Sequence, residues 1–252
     1  MRIMNPQLVV FAYAFPHKKT FEGLVRLVSA GLRPDLVWAA PRVQLAVPDP
    51  KFRLSAGGDD YPPAVDLCRA FDLPLHIGPH RLEDAPRPIQ MMRPEVGVIL
   101  GARVLRGAIV HWCRTGTLNM HPGVLPENRG LDNLKWAVLV DLPQGVTSHL
   151  IDESVDRGYS LDLRLADLDP DLSFRDIHQR LFYIEMDSLV PMVERLLLQD
   201  VPYRAQRVGA GVYRSSMTRE DEVRTLQKLP SYLANYAEIT GRYRRKVRCD
   251  ES

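Results

Sequence analysis

The feature that narrows the fold most is the apolar run Gln7 to Ala14, QLVVFAYA. A strand with one wet face alternates apolar and polar residues. A run without that alternation reads as a strand buried on both faces, the interior of a parallel sheet. Leu36 to Ala40, Leu73 to Ile77 and Val96 to Leu100 repeat the pattern. Helical stretches fall between them. Thr20 can cap a helix through about Ala30, with Phe21, Leu24, Val25 and Val28 as its apolar face and Gly31 as its stop. Pro62 to Phe71 reads as the next helix. Strands alternating with helices argue an α/β chain with a Rossmann-like, doubly wound, mostly parallel sheet. The first strand–helix turn lacks G-x-G-x-x-G, so the dinucleotide fingerprint is missing.

Further along, Val104 to Trp112 is expected to be a helix leading into a short strand, Gly116 to Met120. Leu131 to Val140 reads as a helix with Trp136 on its apolar side, and Gly145 to Ile151 and Tyr159 to Leu165 as strands. Ser173 can cap a long helix, which Pro191 should kink or divide before Met192 to Gln199. A hairpin is expected at Val208 to Arg214, a helix from about Thr218, and a last segment over Tyr232 to Cys249. This divides the chain into a catalytic domain, 1–205, and a small C-terminal subdomain or tail, 206–252. Pro41 to Tyr61 is a long connection of the kind that often carries function.

Composition excludes several classes of protein. With 45% hydrophobic and 25% charged residues the chain is ordinary globular material, and a formal charge of +2 gives no strong field for nucleic acid. Cys68, Cys113 and Cys249 form neither a disulfide framework nor a zinc spacing, which points to a reducing cytoplasm. His76 and His80 run from a strand into a loop and lack helical ligand geometry, so no metal is expected. No apolar run approaches the roughly twenty residues that span a bilayer.

Chemistry concentrates between Leu118 and Gly158. Asn119 and His121 are two apart, so on an extended chain both side chains leave one face, and Pro122 ends ladder pairing just beyond them. The loop after the Gly145 strand offers Asp152, Glu153 and Asp156, and spacing alone does not choose among them. A carboxamide, an imidazole and an acid at strand ends fit acyl or formyl transfer, with Asn and His holding an oxyanion. An isolated N-x-H more often only caps a strand.

Leu118-Asn119-Met120-His121-Pro122, Val124-Leu125-Pro126, Arg129-Gly130, Trp136, Gly145-Val146-Thr147 and Asp156-Arg157-Gly158 occur in an order and spacing that resembles the folate-dependent formyltransferase family. The likeness is strong from about Arg93 to Leu165. One residue departs from it: Gly123 stands where the family usually has serine.

The resemblance implies transfer of a formyl group from N10-formyltetrahydrofolate to a primary amine, without a metal. Asn119 would donate to the oxyanion, His121 would stand beside it, and Asp156 would tune the ring and help move the proton. His149 is implied as an outer residue at most, and a satisfied core histidine otherwise. The pterin is expected near Leu100, Gly101, Arg103, Val104 and Leu105, and beside the loop holding Asp141 and Gln144. Pro126-Glu127-Asn128-Arg129-Gly130 resembles the form common in nucleotide-sugar members. It implies a nucleotide-linked amino sugar as acceptor, with Arg129 orienting a phosphate or sugar, and a homodimer by analogy. Methionyl-tRNA, glycinamide ribotide or hydroxyornithine are the other acceptors, and a silent ligand-binding homologue is the alternative of a different class.

Overall fold

The computed structural model describes residues 7–43, 50, 52, 54, 60–198 and 206–250. Much of the Pro41 to Tyr61 connection, including Gly57 to Asp59, lies outside the described residues.

The chain begins with β1 (Leu8–Tyr13), α1 (Lys18–Ser29), β2 (Leu36–Ala40), α2 (Ala64–Phe71) and β3 (Leu75–Ile77). Then come α3 (Arg87–Met91), β4 (Val96–Ile99) and β5 (Gly116–His121). The middle holds β6 (Arg129–Gly130), α4 (Asn133–Leu139), β7 (Gly145–Leu150), β8 (Tyr159–Leu165) and α5 (Phe174–Leu197). The end is β9 (Gln206–Arg207), β10 (Tyr213–Arg214), α6 (Arg219–Ala234) and α7 (Tyr236–Asp250).

One eight-stranded sheet has the order β3-β2-β1-β4-β5-β7-β8-β9. From β3 to β5 every pairing is parallel, whereas β5-β7, β7-β8 and β8-β9 are antiparallel. The expected α/β sheet is thus present, with an antiparallel extension beyond β5. The unbroken apolar pattern of β1 has its cause in this placement. Leu8, Val10 and Ala12 join the main core with α1 and α5, while Val9 and Phe11 join a second cluster with Trp38, Ile109 and Trp112 on the opposite face. No helix of the described residues is long and apolar enough to cross a membrane.

Several local expectations change. The first helix is capped by His17, not Thr20: the His17 side chain accepts from the Thr20 N–H, and Thr20 sits inside the first turn. Val104 to Trp112 is not an α-helix. Only Gly107–His111 turns, as a 3-10 segment, because Gly107 at φ +69° breaks the approach while Ile109 and Val110 plug into the second cluster. α5 runs through Pro191 undivided. Pro191 and Asp187, whose carbonyl loses its N–H partner there, are both exposed, so water can take the missing bond. No hairpin forms over Val208 to Arg214. β9 extends the main sheet along β8, and β10 pairs in parallel with β6. Trp136 is half-buried rather than core-facing, its Nε1–H donating 2.8 Å to the Ser215 carbonyl, while Leu134, Ala137 and Val138 face inward.

The C-terminal helices belong to the same core as the sheet. Tyr232, Leu233, Tyr236 and Ile239 are buried in the main cluster. The Tyr236 hydroxyl lies 2.8 Å from the Ala166 carbonyl and 3.2 Å from that of Gln144, and the Tyr232 hydroxyl donates 2.8 Å to Leu142.

Candidate active site

The alternation of β5 separates structure from chemistry. Leu118 and Met120 enter the main core, so Asn119 and His121 leave from the other face. On the neighbouring antiparallel strand, Asn119 sits opposite His149 and His121 opposite Thr147. Directly paired residues share a face, so β5 and β7 together present an amide, two imidazoles and a hydroxyl. The Thr147 hydroxyl donates 2.7 Å to the Gly123 carbonyl and accepts from the Leu125 N–H, pinning the chain that leaves His121. Past Leu118, β4 no longer pairs with β5. There the Lys19 ammonium donates 3.2 Å to the Met120 carbonyl while paired with the buried Glu185.

Asp156 does not arrive from a strand end lying alongside β5, as a parallel arrangement would require. β7 runs the opposite way, and its last residue, Leu150, lies opposite Leu118. The following loop therefore folds back across the face, which is why Arg157 reaches His149 and Asp156 reaches His121. Gly158 makes the return feasible. It holds φ +101°, and a Cβ there would lie 1.9 Å from the Leu150 carbonyl oxygen. Asp156 itself adopts φ 50°, a left-handed conformation that aspartate reaches more readily than most non-glycine residues.

Asp156 Oδ1 stands 3.4 Å from His121 Nδ1, and Oδ2 accepts from the Gly130 N–H at 2.7 Å. Burial raises the carboxyl, but the hydrogen bond and charge of His121, the Gly130 N–H and the charge of His149 outweigh it and hold it below the ordinary aspartate value. Asp156 is therefore a carboxylate at neutral pH. On the other side of the His121 ring, Nε2 is 2.9 Å from the Asn128 carbonyl oxygen and 2.5 Å from the Asn133 amide nitrogen.

His149 is fully buried, and burial followed by the neighbouring His121 pulls its pKa down to about 4. The ring is thus neutral at pH 7. Its Nδ1 lies 2.9 Å from the Arg157 carbonyl, which can only accept, so the ring proton sits on Nδ1. Nε2 is then an acceptor, and it receives an N–H from the Asn119 amide at 3.3 Å. That bond fixes which end of the Asn119 amide faces the site and leaves its second N–H for a ligand.

Of the residues named from sequence, Asn119, His121 and Asp156 converge, and the other two acids do not. Asp152 accepts from the Ser154 N–H, and Glu153 meets the exposed His111. Leu100 and Leu105 are buried, whereas Arg103 is exposed and Val104 is 52% exposed on the irregular backbone beyond β4. That backbone follows the strand next to β5, at the end where His121 lies.

Asp141 and Gln144 are spent elsewhere. Asp141 pairs with Lys228 at 2.7 Å. Gln144 is 2% exposed, its side chain donating to Leu134 and its backbone engaged by Tyr236. Lys228 and Tyr232 of α6 and Tyr236 of α7 hold the loop expected beside the pterin from one side, while Asp141 stays exposed. Arg129 also departs from its expected role. It is 8% exposed, and its Nε and Nη2 donate to the Val155 carbonyl at 3.1 and 2.6 Å while Nη1 donates to Ala210.

Sequence reasoning missed Asn128 and Asn133 as partners of His121, and missed the part His149 plays in orienting Asn119. Asn128 stands in the P-x-N-R-G segment, but that segment reads as facing an acceptor rather than the histidine. Asn133 carries no motif.

Residues 75–193 match the family model described as Formyl transferase. A methionyl-tRNA formyltransferase of Chloroflexus aurantiacus is 30% identical over 164 residues, 64% of this chain and 53% of that protein. One from a Roseiflexus species is 31% identical over 151 residues, 58% of this chain and 46% of that protein. The chain thus spans about half the length of the curated relatives it matches. The N-formyltransferase of Helicobacter canadensis, solved with folinic acid and dTDP-3-aminofucose, gives a TM-score of 0.61 at 14% identity, covering 90% of this chain and 81% of that one. A sugar N-formyltransferase from a Shewanella species gives 0.59 at 18% identity, covering 87% and 88%. At such identities the two solved structures speak for a shared fold. The segment from residue 75 to residue 193, which matches the formyl transferase family model, contains Asn119, His121 and Asp156.

Proposed function

We propose that the chain transfers a formyl group from N10-formyltetrahydrofolate to a primary amine, and that the amine belongs to a nucleotide-linked amino sugar. The observation that carries this reading is the meeting of an oriented amide, an imidazole and an ionised carboxylate at one face: Asn119, His121 and Asp156. The free N–H of Asn119 donates to the formyl oxygen as charge develops on it, an interaction commonly worth about 3 kcal/mol. As the amine nitrogen bonds the formyl carbon, Asp156 accepts the proton that the amine gives up, with the His121 ring alongside. The C–N10 bond then breaks, and that proton passes to the N10 of the departing tetrahydrofolate. The Gly101 to Arg106 backbone, irregular and carrying the exposed Val104, fits the flat ring of a folate with a polar edge. Of the other two expected residues, Asp141 stays exposed beside Lys228, whereas the Gln144 side chain is buried against Leu134.

The sugar acceptor is supported by solved relatives that match this chain over most of both lengths, one of them named as holding a dTDP-amino sugar. The methionyl-tRNA reading draws on the curated relatives, but these are matched over only about half their length. Cytoplasmic residence accords with Cys68 and Cys113, both buried free thiols. The reading is tested by offering purified protein N10-formyltetrahydrofolate with dTDP-, UDP- and GDP-amino sugars, glycinamide ribotide, hydroxyornithine and methionyl-tRNA. Formylation of a sugar is expected. Formylation of the tRNA or ribotide with every sugar untouched would overturn the acceptor, and transfer to nothing would overturn the activity.

A further inference from the structure

All three guanidinium nitrogens of Arg129 donate to protein carbonyls, on two separate segments. Its Nε and Nη2 hold the carbonyl of Val155, the residue immediately before Asp156, and Nη1 holds Ala210. The next residue, Gly130, gives its N–H to the Asp156 carboxylate. Arg129 and Gly130 also form β6, paired with Tyr213 and Arg214 of β10, and the Arg129 N–H donates 3.1 Å to Val212. The C-terminal segment therefore holds Arg129 from one side, and Arg129 holds the acid loop from the other. Asp156 turns back at φ 50° directly after that held carbonyl, so the grip on Val155 fixes where the turn begins.

We propose that Arg129 is a positioning residue for Asp156, and that the segment 210–214 is part of the catalytic apparatus because it anchors this arginine. The kinetic part of the proposal rests on the formyl-transfer reading above; the structural part does not. A guanidinium reaches both carbonyls at once in a fixed fork, which an ammonium cannot do.

Arg129→Lys keeps the charge and loses the fork. It should lower kcat roughly 10- to 100-fold, the scale of a displaced reacting group, with KM for donor and acceptor nearly unchanged. In an Asp156→Asn background the same change should cost nothing further, since the group it positions is gone. A raised acceptor KM at unchanged kcat would make Arg129 a substrate ligand. A lower melting temperature at unchanged kcat, or fully additive losses in the double variant, would make it scaffold only. Either result overturns the proposal.

Carbon-13 NMR titration of the Asp156 carboxyl reads the same idea without any turnover. The charged and titrating groups facing that carboxyl are His121 from β5 and His149 from β7, with the Gly130 N–H from β6. Releasing the loop moves the carboxylate away from them, so its titration should shift upward in Arg129→Lys. An unmoved titration overturns the positioning role even if the chain proves to formylate nothing.

Discussion

In the parallel half of the sheet, β3-β2-β1-β4-β5, the strand interiors are mostly apolar. His80 beside them ends on a backbone group, 2.9 Å from the Trp38 carbonyl, among Phe11 and Trp38. In the antiparallel half, β5-β7-β8-β9, the face of β5 and β7 sets polar side chains beside one another, with backbone groups holding Thr147 and His149 in place. Asn119 lies across from His149, His121 across from Thr147, and the loop after β7 lays Asp156 over them. The register of β8 on β7 shifts between Ser148 and His149, an irregularity of the kind that re-aims side chains beside active sites. Parallel neighbours contribute mainly through loops at their carboxyl ends. An antiparallel pair adds facing side chains along its length and a return loop above them, and the chemistry collects on that side.

The largest effect expected from this contrast is on turnover. His121→Ala and Asn119→Ala should each lower kcat by about 100-fold or more, with the fold intact by circular dichroism. His80→Ala, its counterpart in the parallel half, should leave kcat in place and cost about 1–3 kcal/mol in a urea titration. Comparable losses of kcat from all three would erase the distinction between the halves.

Gly158→Ala probes the return loop. The added Cβ would lie 1.9 Å from the Leu150 carbonyl oxygen at φ +101°, so the loop must shift. A loss of about 3 kcal/mol or more is expected in urea, and kcat should fall with it.

The parallel half was legible because burial on both faces leaves unbroken apolar runs, as in Leu8 to Tyr13 and Leu36 to Ala40. Asn119, His121 and the acid loop were legible through spacing and motif. The direction of β7 was not, since Gly145 to Leu150 is buried throughout and its run reads alike in a parallel or an antiparallel strand. The fate of Asp141 and Gln144 depends on helices some ninety residues later, which no local pattern encodes. Arg129 looked like a ligand for an anion because a charged residue beside a motif reads that way until its carbonyl partners are seen.

A smaller effect concerns pH. His149 takes up a proton below about 6.5 when unfolded but only below about 4 in the fold. The unfolded chain therefore binds more protons in that window, and stability falls as pH drops through it, by about 3 kcal/mol in all for this group. His17 shifts in the same direction. His149→Gln should therefore flatten the dependence of the urea midpoint on pH between 7 and 4.5 without abolishing it. An unchanged slope would mean that this ring is not held neutral.

Gly123→Ala should have the smallest effect. Its Cβ would lie 2.8 Å from both His121 Nε2 and the Asn128 carbonyl oxygen, crowding the ring from the side away from Asp156. A fall in kcat of about 10-fold with a loss of about 1–3 kcal/mol in stability is expected, since the Asn128 carbonyl is backbone and must shift. Steady-state kinetics and urea titration together read both. An unchanged kcat would show that the ring tolerates displacement on that side.

The central claim is that the carboxylate laid over the antiparallel pair takes part in formyl transfer. Asp156→Asn nearly preserves the shape of the side chain and removes its charge, so single-turnover formyl transfer from N10-formyltetrahydrofolate to the acceptor identified by the panel tests the claim most directly. The account predicts a rate lowered by about 100-fold or more in a variant that folds normally. Transfer at the parent rate by that folded variant would contradict it.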